Sequence, residues 1–111
     1  MPTRITMIAA LFAALTMLAA SATQAAGADE AQKLYTRSVA ATCANCHGTD
    51  GRAQDDATVP GLVGLSADHI VTQMDAFRKG ERSATIMHQI AKGFSEEQTR
   101  QLADYFASQQ P

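Results

Sequence analysis

Residues 42–48 read Thr42-Cys43-Ala44-Asn45-Cys46-His47-Gly48, and they contain both cysteines of the chain and one of its three histidines. Two cysteines separated by two residues serve several chemistries: half of a zinc site, a redox dithiol, part of an iron–sulfur cluster, or a haem attachment. A structural zinc site takes four ligands, usually from a second Cys or His pair at matched spacing. His69 and His88 are nineteen residues apart and form no such pair. Iron–sulfur clusters are generally held by four cysteines, and this chain has two. A thioredoxin-like dithiol sits at a strand-to-helix junction of an α/β fold, and no βαβ pattern surrounds this one. A bare disulfide across two residues closes too small a loop to stabilise much.

One chemistry uses every residue of the stretch. In C-x-x-C-H the two thiols form thioether bonds to the porphyrin vinyls, and the adjacent imidazole binds the iron. One helical turn sets Cys43 and Cys46 along a porphyrin edge, and His47 then points in beneath the metal. The sequence therefore predicts a single covalently bound haem c.

Outward from the motif, the chain of 111 residues divides in two by composition. Residues 1–27, MPTRITMIAALFAALTMLAASATQAAG, open with the cation Arg4, run largely apolar from Ile5 to Ala20, and end in small and polar residues. That is the layout of a secretory signal peptide, with Thr23-Gln24-Ala25 as the cleavage site. The expected organisation is a leader over 1–25 (1–26 in the neighbouring alternative) and one haem domain over 26–111. Sixteen largely apolar residues fall short of the ~20 that a spanning helix needs. Export to a bacterial periplasm is expected, without stable membrane insertion once the leader is removed.

Loss of Arg4 from nine basic residues, against eleven acidic ones, moves the formal charge from −2 to −3. A mildly acidic chain with no basic face is not a nucleic-acid binder. About 85 residues make a small core, so a bound group is expected to supply part of the stability.

The remaining pattern is all-α. Ala31, Leu34, Tyr35, Ser38, Val39 and Thr42 recur at helical spacing and predict a helix over 29–42 with that face turned inward. Residues 48–64 carry four glycines and a proline and read as a loop. A loop of that length in a small domain wraps something functional. Ser66 caps a second helix that runs to Lys79 and stops at Gly80. It buries Ile70, Val71, Met74 and Phe77 and leaves Asp68, Asp75, Arg78 and Lys79 in water. A short helix is expected from about Thr85 to Lys92, ended by Gly93. Ser95 and Gln98 then form a capping box for a last helix to Ser108, which buries Leu102, Tyr105 and Phe106.

Four residues compete for the iron opposite His47: His69, Met74, Met87 and His88. Met74 belongs to an apolar helix face and His69 to a wet helix start. Met87 lies in the short Ser83–Met87 segment, from which a thioether can reach the haem without breaking a core. Its neighbour His88 is the rival, and would give a bis-histidine haem of lower potential. A haem-binding imidazole also needs an acceptor for its other N–H. The rigid Pro60-Gly61-Leu62-Val63-Gly64 turn offers the Pro60 carbonyl.

With those residues in place the chain resembles the class I c-type cytochromes over essentially the whole mature domain. Cys43, Cys46 and His47, then Pro60, Leu62 and Gly64 as P-x-L-x-G, then a downstream methionine, match in order. More narrowly, MDAFRKGERS followed by ATIMHQIAKGFSEEQTRQLADYFASQ is similar to the haem domain of the cytochrome subunit of flavocytochrome c sulfide dehydrogenase, and to c4 and c553 cytochromes. The resemblance implies a small class I fold of about four helices around one haem c, crossed first and last helices, the Pro60 carbonyl on the His47 ring, and Met87 as second axial ligand. Many members place glycine eight residues before the first cysteine, where those helices cross. Here Tyr35 stands there, with Val39 four residues on, so a different packing of the crossing is expected.

Three functions follow as expectations. The first is electron transfer without catalysis. It would serve either as the haem subunit that accepts electrons from a sulfide-oxidising flavoprotein, or as a free soluble c553/c4-type carrier to a terminal oxidase or reductase. The second is a gas-binding or peroxidase-like haem protein, with His88 as a distal polar group. The third is a structural exported helical domain. Arg78, Lys79, Arg82 and Lys92 cluster around Met87 in the sequence and could ring the haem edge or solvate helix ends.

Overall fold

The computed structural model describes Gln24 and residues 26–109. The expected leader over residues 1–25 lies, Gln24 apart, outside the described residues. The chain forms two compact units, Met1–Leu34 and Tyr35–Pro111. The described residues of the first are helical.

The second unit is built from helices and turns, with no strand among the described residues. Helix α1 (residues 35–41) is followed by the single turn α2 (Ala44–His47), then α3 (Ala67–Lys79), α4 (Met87–Ile90) and α5 (Glu96–Ser108). No helix of the described residues is long and apolar enough to cross a membrane.

The helix ends lie where local chemistry puts them. Ser66 adopts extended backbone and accepts the His69 amide at 3.2 Å, which starts α3. Gly80 closes it at φ 75°, where a left-handed residue returns its amide to Phe77. At α5 the Ser95 hydroxyl accepts the Gln98 amide, and the Gln98 side chain accepts the Ser95 amide, so two orphan donors are satisfied reciprocally. The expected short helix is narrower than its sequence pattern. α4 begins at Met87 rather than near Thr85, and Ala91–Gly93 continue it only as a 3₁₀ turn.

The core gathers Ala40 from α1, Ile70 from α3, and Leu102, Ala103 and Phe106 from α5. Val39, Cys43, Leu62, Leu65, Val71, Met74, Phe94 and Tyr105 pack partly buried around it. The inward face of the first helix differs from the periodicity expectation. Leu34 is 57% exposed and Tyr35 46%, whereas Ala40 is 4% exposed. The buried line runs through Ala40 and Cys43, one step around the helix. A small residue at the contact lets α1 approach α5 closely, and a bulky Leu or Tyr there would hold it away. Tyr35 takes part differently, at the helix surface, where its hydroxyl accepts a hydrogen bond from Gln98 Nε2 at 2.8 Å.

The 48–64 loop is not slack. Asp50 sits at φ 53° and its carboxylate accepts the Tyr105 hydroxyl at 2.5 Å. Gly51 is buried at φ 82°, and its carbonyl accepts the amides of Leu62 (2.8 Å) and Val63 (3.3 Å). A Cβ on Gly51 would lie 2.9 Å from the Phe106 ring, so only glycine lets the loop seat on α5 at this conformation. This double contact brings the Pro60 turn back beside α2.

Candidate haem site

Cys43 caps α2, and its carbonyl accepts the amides of Cys46 (3.2 Å) and His47 (3.0 Å). A single turn thus carries the two thiols and the imidazole. Cys43 is half-buried and Cys46 exposed. Burial pushes the Cys43 thiol above its ordinary value. A hydrogen bond with Thr42 works against that shift, and the charge of Cys46 adds to it. Among the described residues no three or more His, Cys, Asp or Glu side chains are grouped to hold a metal ion.

His47 Nδ1 lies 2.7 Å from the Pro60 carbonyl oxygen. A carbonyl only accepts, so Nδ1 carries the proton and Nε2 keeps its lone pair. A ring oriented in this way, with a polarised N–H, suits a metal ligand.

On the other side of the sequence, Met87 is the first residue of α4 and half-buried. Its flanks are apolar and open: Ile86 is 56% exposed and Ile90 37%. His88 is half-buried and His69 exposed. Met74 packs against the core cluster, as its helix face suggests. Cys43, Cys46, His47 and Pro60 are brought together through α2 and the Gly51 loop.

The donor set and the core both suit a haem. Among the described residues, only Ile70, Leu102 and Phe106 are buried hydrophobics larger than alanine. So thin an apolar centre fits a domain completed by a large flat apolar group, held by thiols that need no ionisation to form thioethers.

The four cations near Met87 behave unequally. Arg78, expected in water, is turned inward, its side chain 24% exposed and bonded to α5 and to the segment after α4. The guanidinium supplies donors to the Ala91 and Phe94 carbonyls and to the Thr99 hydroxyl. Arg82 lies 4.6 Å from the Phe77 ring centroid and donates to Gln73. Lys79 and Lys92 are exposed. Sequence periodicity could not find the Arg78 role, because its acceptors other than Asp75 are the Ala91 and Phe94 carbonyls and the Thr99 hydroxyl, all more than twelve residues away.

Residues 28–110 match the cytochrome c family model. The chain belongs to the cytochrome c family. It accordingly carries haem c as a covalent cofactor. This cytochrome c is 37% identical to the cytochrome subunit of sulfide dehydrogenase from Chlorobaculum tepidum, over 60% of this chain and 59% of that protein. It is 40% identical to the thiosulfate dehydrogenase electron acceptor of Stutzerimonas stutzeri, over 70% of this chain and 38% of that one. It is also 38% identical to cytochrome c-554(548) of Halomonas halodenitrificans, over 62% and 86% respectively. Among solved structures, cytochrome c4 of Acidithiobacillus ferrooxidans superposes with a TM-score of 0.56 at 36% identity, covering 60% of this chain and 38% of that one. The first two curated relatives are therefore spanned for about 59% and 38% of their own lengths. The likeness to c4 agrees with the all-α class I fold expected from the sequence.

Proposed function

We propose that this cytochrome c is a periplasmic one-electron relay. Cys43 and Cys46 hold the haem through thioethers, and His47 and Met87 bind its iron. Bound there, haem c supplies an iron centre that gains and loses one electron. His47 binds through Nε2 while Pro60 keeps its Nδ1–H in place; the 2.7 Å contact between the two carries the reading. Met87 would give its thioether to the iron, and a thioether ligand would shut out exogenous ligands and favour the ferrous state. Met74 is committed to the core, which supports Met87 over it. No bond need form or break at the iron, so the chain transfers electrons and leaves chemistry on any substrate to a partner.

The finer reading is the haem subunit of a sulfide-oxidising flavoprotein, taking electrons singly from a two-electron flavin. The named relative from Chlorobaculum tepidum supports it, and the leader would place the complex in the periplasm. The alternative is a free carrier of the c4 or c553 kind.

Met87→Ala tests the closed iron. The variant should lose the far-red thioether band of the oxidised protein, and its ferrous form should bind carbon monoxide. A retained band would move the ligand to another residue, and carbon monoxide binding by the unaltered protein would favour the gas-binding alternative. Purification from the native source decides the partner. A flavin-containing companion that stays bound supports the subunit, and a lone monomer supports the free carrier.

A further inference from the structure

Arg78 engages three pieces of chain at once. From the last turn of α3 its Nη1 reaches Asp75 Oδ1 at 2.9 Å, an ion pair one turn back along the helix. Nε donates to the Ala91 carbonyl at 3.3 Å, and Nη2 to the Phe94 carbonyl at 3.2 Å and to Thr99 Oγ1 at 3.0 Å. Thr99, only 1% exposed, passes its own hydroxyl proton to the Ser95 carbonyl at 2.8 Å. Ala91 is fully buried. The acceptors at 91 and 94 directly follow the four residues of α4, which Met87 opens, and Thr99 lies in the first turn of α5.

A helix of four residues has no stability of its own, since nucleation costs more than so few hydrogen bonds return. The position of α4 is set by what holds its ends. Its N-terminal side, Ile86, has no side-chain cap and is exposed. Its C-terminal side leads straight into the Ala91 and Phe94 carbonyls that Arg78 binds. A planar guanidinium with donors in a fixed fork can satisfy both, and a lysine ammonium cannot reproduce that geometry.

We propose that Arg78 is a positioning residue for the axial methionine: it fixes the root of α4 against α3 and α5 and so keeps the Met87 thioether on the iron. The proposal rests on the reading of Met87 as the second axial ligand. Arg78 touches neither haem nor iron in this account and acts only through Met87.

The test is made on oxidised holoprotein, with imidazole as the competing ligand and Met87→Ala as the reference. Arg78→Lys keeps the charge and loses the fork. It should bind imidazole roughly tenfold or more tightly than the unaltered protein, in line with the loss of hydrogen bonds to buried acceptors. The far-red thioether band should weaken, and amide exchange should quicken in residues 87–94 while the α5 core stays protected. Unchanged imidazole affinity with an intact band would overturn the proposal, as would exchange that quickens uniformly across the domain. If Arg78→Lys does not accumulate as holoprotein, Thr99→Val decides by the same readouts, since it removes one acceptor and leaves the guanidinium. A failure of the underlying reading looks different: Met87→Ala would then keep the band of the unaltered protein.

Discussion

At the scale of single residues, the site depends on a few groups with one job each. The expectation for His47 rests on its place after Cys46, which has one common chemical use. Pro60 was legible because an imidazole ligand needs an acceptor and a rigid turn can present one. Gly51 was not, since its role is to let the loop touch Phe106 and no local pattern encodes a distant ring. Nor was the pairing of Tyr105 with Asp50, which joins residues fifty-five apart. That pair makes a prediction. Burial raises the Tyr105 phenol above its ordinary value near 10, the hydrogen bond to Asp50 and its charge add to this, and Arg37 and Arg52 oppose it. A raised folded-state value means the native chain holds the proton more tightly than the unfolded one. The stability from this pair is therefore complete below pH 10 and is lost as pH climbs through the folded value. Thermal midpoints followed by far-ultraviolet circular dichroism should fall more steeply above pH 10 for the unaltered protein than for Tyr105→Phe. Parallel curves would contradict the assigned contact.

Elements show where sequence reading succeeds and where it stops. The starts of α3 and α5 and the end of α3 were legible from Ser66, Ser95 with Gln98, and Gly80, because caps act within four residues. The inward face of the first helix was misplaced by one step. Leu34 and Tyr35 outweigh Ala40 in any apolar count, yet a close helix approach selects the alanine. Tyr35 is accommodated at the surface by Gln98. The inward turn of Arg78 was hidden for a related reason: a cation in a last helical turn ordinarily complements the dipole in water. Here it joins three segments. The brevity of α4 gives that contact its weight, since residues 87–90 take their place from what they are tied to.

For the whole molecule, the thin core and the C-x-x-C-H turn describe one design. A domain with only three buried hydrophobics larger than alanine among its described residues relies on its cofactor for an apolar centre, and a covalent link makes that reliance permanent. All-α architecture and a covalent haem were legible in the sequence, because they rest on periodicity and on the C-x-x-C-H spacing. The electron donor was not, because docking depends on surface shape and on a second chain. The central claim is that one haem is fixed to Cys43 and Cys46, with His47 beside them. Tandem mass spectrometry of the proteolytic peptide spanning residues 43–47 tests it most directly. The account predicts a single haem added to that peptide and fragment ions that place a thioether on each cysteine. An unmodified peptide, whether with free thiols or with a Cys43–Cys46 disulfide, would contradict it.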